Sequence, residues 1–266
     1  MIQEGNFLIA FGLSLFAGLS TVLGAMIVYG LKSRTPKILS LGLGFSAGVM
    51  LYLSFFELIP EARQALFSQS AGGWLSLVFY FFAGLAVAAI IDFFTHNFVH
   101  KKTDCPVPGK KPRKGKHPLH QLGIFTALAI AIHNFPEGIA TFASAATNLS
   151  LGIPLALAVA IHNIPEGMCV ALPVYCATGS KSKGIVYTLW AGLAEPLGAV
   201  LAYFFLFPFF TAYIEGALLG AVAGIMTYIA LDELLPAARE NGELNRALAG
   251  LALGAVSMYL LLPLLK

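Results

Sequence analysis

Two stretches decide how this chain must fold: ALAIAIHNFPEG, Ala127–Gly138, and ALAVAIHNIPEG, Ala156–Gly167. Each is an apolar run with His, Asn, Pro and Glu set into its middle. An ionisable group in such a run needs either water or a partner, because at mid-bilayer it costs several kcal/mol. The apolar character continues on both sides of each motif, to about Gln121–Ala146 and Gly152–Thr178. Each run is longer than the roughly 20 residues that cross a bilayer. Only 11% of the 266 residues are charged, against roughly 25% in an ordinary soluble domain. With 58% apolar residues the chain cannot cover itself as a water-soluble globule, and disordered, collagenous and coiled-coil classes are excluded as well.

The other stretches of sufficient length are Phe7–Leu31, Lys37–Ile59, Trp74–Phe94, Gly184–Pro208, Thr211–Leu235 and Leu244–Leu265, eight spans in all. The expected fold is an all-α polytopic membrane protein, one transporter domain over residues 1–266. The N-terminus carries Glu4 and no Lys or Arg before the first span, so that span reads as retained rather than as a cleaved signal. Fourteen of the sixteen basic residues fall in alternate connections, and only Arg63 and Lys266 fall on the other side. Basic residues stay cytoplasmic, so both termini are expected outside. The connection over residues 95–120, with seven Lys or Arg, is expected in the cytoplasm. The formal charge of +3 resides in these connections and is not a nucleic-acid signal. Cys105, Cys169 and Cys176 form no CxxC pair, so neither a disulfide framework nor a thiolate zinc site is indicated.

Two internal repeats run in opposite directions. Gly44–Ala62 and Gly220–Ala238 agree at nine of nineteen positions, among them Gly48/Gly224, Glu57/Glu233 and Pro60/Pro236. The HNxPEG stretches form the second pair, on spans four and five. Repeats of opposite orientation mark transporters whose sites lie where the repeats meet, near the midplane. His133 and Glu137, and likewise His162 and Glu166, stand four apart and project from one helical face. Asn134 and Asn163 border that face, and Glu195 is central in span six. Pro136 and Pro165 cannot donate a backbone hydrogen bond, which frees the carbonyls of Ile132 and Ile161. The expectation is helices broken around a polar cavity, as transporters present oxygen ligands in lipid. Imidazole with carboxylate suits zinc, iron(II), manganese and cobalt, and without thiolates the metal is released more readily.

HNFPEG and HNIPEG on consecutive central spans, followed by AEPLGA at Ala194–Ala199, resemble the ZIP metal transporters, and within them the ZupT-like, GufA-type bacterial branch. The resemblance covers essentially the whole chain. It implies a 3+2+3 inverted-repeat bundle of eight helices in the cell (inner) membrane, a homodimer, and import of divalent zinc, iron(II), manganese, cobalt or cadmium by alternating access. Spans one, four, five and six would move against a scaffold of two, three, seven and eight. One metal would be held by His133, Glu137, His162 and Glu166. A second would be held by Asn134, Asn163 and Glu195, with Glu137 and Glu166 bridging. The metal is cargo, so no cofactor is expected and the protein is not an enzyme. The competing class is a membrane metallohydrolase activating water on the same metal, but no HExxH or comparable pattern is present.

Glu57 closes span two on the outer side, and Asp232 and Glu233 close span seven on the inner side. They are either entrance and exit stations for the cation or carboxylates reaching the interface. His96, His100, Cys105, His117 and His120 in the basic connection either capture released metal or form a solvated loop near anionic lipid. Met168 and Cys169 read as packing. Asp92 is either a solvated carboxylate or an exit ligand.

Overall fold

The computed structural model describes residues 4–30, 36–67, 73–99, 118–209, 211–240 and 244–265, which are helical almost throughout and contain no strand. The helices are α1 (Glu4–Gly30), α2 (residues 36–67), α3 (Gly73–Val99), α4 (Pro118–Thr147), α5 (Leu149–Thr178), α6 (residues 181–209), α7 (residues 212–240) and α8 (Leu244–Leu265). Seven of them, all but α4, contain described stretches long and apolar enough to cross a membrane. The helix α4, 30 residues long, carries the first HNxPEG motif. The protein is an all-α polytopic membrane protein.

Local chemistry accounts for the joints. A single residue, Asn148, separates α4 from α5, and its side chain accepts from Ser150 N–H at 3.0 Å. Gly179 ends α5 with φ 68°, the left-handed conformation that closes a helix without a Cβ penalty, and its N–H returns to Tyr175 O. Ser180 then caps α6 by accepting from Lys183 N–H. Such short links make α4, α5 and α6 neighbours.

Two departures from the expected spans share one cause. The second span is expected to end at Ile59, yet α2 continues to Phe67 through a π turn at Ser54–Leu58. In α7 a π turn at Ile229–Leu234 plays the same part, and the helix runs on to Glu240. Each π turn ends two residues before a proline, Pro60 or Pro236. The wider turn absorbs the missing N–H and removes the clash of the ring with the preceding carbonyl. The two π turns fall at corresponding places in the repeat and each holds its glutamate, Glu57 or Glu233. The basic connection is shorter at its described ends than 95–120, since α3 runs to Val99 and α4 begins at Pro118; residues 100–117 lie outside the described residues.

The packing divides the helices into two groups. The first joins α1 to α5 and α4 to α6, with α4 and α5 side by side; the second joins α2 to α8 and α3 to α7. Contacts between α2 and α5 link the groups. Among the seven apolar spans α5 is the most enclosed, 67% buried, and α3 the least, 17%. Leu75, Phe79, Phe82 and Phe93 of α3 and Tyr259, Leu260 and Leu264 of α8 point outward, while Asn134, Glu137, His162, Asn163, Glu166 and Glu195 are buried. Apolar outside and polar within is the distribution a bilayer requires.

Candidate metal centre

The side-by-side placement of α4 and α5 brings the two HNxPEG motifs together. His162 Nε2 lies 3.3 Å from Glu137 Oε2, across the helix pair. Glu137, His162 and Glu166 each offer a ligand atom, and these atoms all lie within 4.8 Å of one another. Zinc bonds to nitrogen and oxygen are about 2.0–2.2 Å, so one ion between them closes that spacing with small side-chain movements. All three residues are at most 2% exposed. A carboxyl group in such a place is tolerated when it is protonated or when something positive compensates its charge.

The second half of the centre is built from α1 and α6. Asn163 Nδ2 donates both to Glu195 Oε1 and, at 3.0 Å, to the carbonyl of Ala17. Asn134 Nδ2 donates to the carbonyl of Ala191 at 3.3 Å. Because each amide nitrogen is committed to a helix carbonyl, each amide oxygen is turned the other way. Asn134 Oδ1, Asn163 Oδ1, Glu137 Oε1 and Glu195 Oε2 are buried and have no hydrogen-bond partner. Buried polar atoms are nearly always paired. A cluster made only of acceptors fits a cation. Glu195 is within electrostatic range of both Glu137 and Glu166, so the two halves form one acidic centre.

Close helix approach makes the centre compact. A Cβ on Gly138 would strike the backbone of Glu195, and one on Gly167 would strike the carbonyl of Thr21. Small residues at these crossings let α6 and α1 lie directly on the motif helices.

The proline expectation is corrected. Both α4 and α5 run unbroken through Pro136 and Pro165. On α5 the carbonyls flanking Ile161 lie against outside hydroxyls, Ala160 O against Ser20 Oγ at 2.7 Å and His162 O against Ser46 Oγ at 3.4 Å, and further along Ala171 O accepts from Tyr29 Oη at 3.1 Å. The break lies in α6 instead, at Leu193, between Lys181–Gly192 and Ala194–Leu201. Pro196 cannot donate to the carbonyl of Gly192, so the helix restarts and carries Glu195 in its first turn, where a carboxylate is favoured by the helix dipole.

Other expected site residues lie elsewhere. The side chain of His133 is outside the described residues; its backbone is in α4. Glu57 is half-buried and, with Glu61 and Ser144, lines a cleft between α2 and the α4–α5 joint. Asp232 is exposed and Glu233 half-buried on α7, apart from the centre; Tyr228 Oη donates to Asp232 at 3.0 Å and to Asp92 at 3.1 Å. Met168 packs with Ala25, Val28 and Ala171, and Cys169 Sγ donates to Pro165 O at 3.2 Å, so both are packing residues. The side chains of His96, His100, Cys105, His117 and His120 lie outside the described residues.

The part that sequence reasoning missed is α1. A third repeat was available to find it: AGLSTVLGA, Ala17–Ala25, matches AGLAEPLGA, Ala191–Ala199, at six of nine positions. The match aligns Ala17 with Ala191, the two carbonyls that hold Asn163 and Asn134.

Known proteins similar to this chain agree with one another. A family model described as ZIP Zinc transporter matches residues 6–122 and 113–262. A protein named Zinc transporter ZupT from Chlorobium luteolum is 48% identical over 98% of this chain and 99% of its own length. Proteins of the same name from Lysinibacillus sphaericus and Streptococcus mutans are 47% and 45% identical, over 99% and 94% of this chain and 100% and 94% of their own.

Proposed function

This chain belongs to the ZIP zinc transporter family, and on that premise we propose that it imports zinc into the cytoplasm through the centre described above. Iron(II), manganese, cobalt and cadmium are further substrates in this reading, since imidazole, carboxylate and amide oxygen form a ligand set of intermediate hardness. The observation that carries it is the ring of buried ligand atoms on Glu137, His162 and Glu166, beside the acceptor oxygens of Asn134, Asn163 and Glu195. The first metal position uses His133, Glu137, His162 and Glu166. The second uses Asn134, Asn163 and Glu195, with Glu137 and Glu166 shared.

Alternating access moves α1, α4, α5 and α6 as one body against α2, α3, α7 and α8, in a 3+2+3 inverted repeat. Two features support this. The packing pairs exchange when α1, α2, α3 and α4 are replaced by α6, α7, α8 and α5. The π turns before Pro60 and Pro236 also correspond. The scaffold group dimerises, both termini face out, residues 95–120 form a cytoplasmic loop, and the membrane is the cell's inner membrane. Glu57 receives the cation on the outer side, where it already lines a cleft with Glu61; Asp232 and Glu233 release it within. A metallohydrolase is not favoured, because the proteins that match over the full length are named as transporters. Purified protein in liposomes should accumulate zinc-65, with unlabelled iron(II), manganese, cobalt and cadmium each competing. Binding without accumulation would refute transport.

A further inference from the structure

Thr21 of α1 is wholly buried, and its Oγ1 has no hydrogen-bond partner. A threonine inside a helix ordinarily donates back to the carbonyl one turn earlier, as Thr188 does to Gly184 and Thr227 to Ala223. For Thr21 that acceptor is the carbonyl of Ala17, which already takes Asn163 Nδ2–H at 3.0 Å and has the Ser20 hydroxyl 2.6 Å away, shared with the carbonyl of Ala160. The hydroxyl is therefore turned away from its own helix. It faces the backbone of α6 at Gly192, where an added Cβ would stand 3.1 Å from Oγ1. The carbonyl of the adjacent residue, Ala191, is the one that fixes Asn134.

The repeat Ala17–Ala25 against Ala191–Ala199 pairs Thr21 with Glu195. Their backbones make the same contact, Thr21 against Gly167 and Glu195 against Gly138. Glu195 accepts from Asn163, and the HNxPEG repeat pairs Asn163 with Asn134.

From this placement we infer that Thr21 Oγ1 is a ligand of the second metal position, a neutral oxygen on the α1 side standing opposite the Glu195 carboxylate. The inference rests on the two-position reading proposed above. One wall of that position is then anionic and the other neutral, and both walls offer hard oxygen. A position so built is weakened by loss of the hydroxyl and is shifted toward soft cations when sulfur replaces it.

The test is equilibrium dialysis of the full chain in lipid nanodiscs against zinc-65, manganese-54 and cadmium-109. Wild type should bind two zinc ions per chain. Thr21→Val, which keeps the shape, should leave the first ion unchanged and weaken the second about tenfold, ~1.4 kcal/mol. Thr21→Ser should restore it. Thr21→Cys should raise the cadmium-over-manganese preference of the second position at least tenfold, a change that loss of packing alone would not produce. Two ions bound by wild type, with unaltered second-ion affinity in Thr21→Val and unaltered preference in Thr21→Cys, overturns the role of Thr21 alone. A single ion bound by wild type overturns the two-position reading and this inference together.

Discussion

Glu195→Gln tests the proposed division of the centre into two metal positions. Glu195 is fully buried and accepts from Asn163, and glutamine keeps an oxygen for that hydrogen bond, so the local structure is retained. What is lost is one unit of negative charge. Two divalent ions bring four positive charges to the three carboxylates of Glu137, Glu166 and Glu195, so the second ion is already under-compensated. A unit charge about 4 Å from a divalent ion is worth ~8 kcal/mol at an effective dielectric constant of 20. Releasing the carboxylate from its dehydrated site returns part of that. The net loss is roughly 3 kcal/mol, about two orders of magnitude in affinity for the second ion. The first ion keeps Glu137, His162 and Glu166. Equilibrium binding on purified protein should then read one tight zinc per chain, with uptake impaired less than by Glu137→Ala. If Glu195→Gln empties both positions, or still holds two ions tightly, the division between them is wrong.

Three further outcomes are expected. The double variant His133→Ala/His162→Ala should insert normally and lose nearly all zinc-65 uptake; wild-type uptake would refute the assignment of the centre. A cysteine at Gly109 should resist an impermeant thiol reagent added to intact cells, and rapid labelling from outside would reverse both the topology and the direction of transport. Gly138→Ala should lower thermal stability by about 1–3 kcal/mol and depress uptake, because its Cβ has to displace the backbone of Glu195; an unchanged melting temperature and rate would show that the α4–α6 crossing is loose.

The membrane class and the ligand types of the centre were legible because both are written in local composition. A run of some 20 apolar residues has few places to go but a bilayer, and His with Glu four residues on shares a helix face whatever the neighbours do. The paired motifs also declared that α4 and α5 would face each other, and His162 against Glu137 bears that out. Effects of proline were read less well. Pro136 and Pro165 leave their helices whole, whereas Pro60 and Pro236 are accommodated by π turns and Pro196 follows a break. The ring is the same in every case, and the response depends on what the surrounding helices can donate or accept.

The all-helical membrane architecture, the paired motifs and the residue types gathered at the candidate centre were legible in the chain itself, since these depend on burial in lipid and on the helical period. The repeat of Ala17–Ala25 in Ala191–Ala199 hints at a part for α1, but which of its atoms enter the centre was settled by the tertiary structure. The carbonyl of Ala17 is a backbone atom that no residue type announces, and it becomes part of the centre only because Asn163 reaches it across 146 positions of the chain. The same contact occupies the acceptor that Thr21 would use, and so leaves a threonine hydroxyl open inside the protein. A hydrogen bond satisfied or withheld depends on which helix lies alongside, and that is settled by glycine crossings such as Gly138 on Glu195 and Gly167 on Thr21, where the absence of a side chain lets two backbones touch.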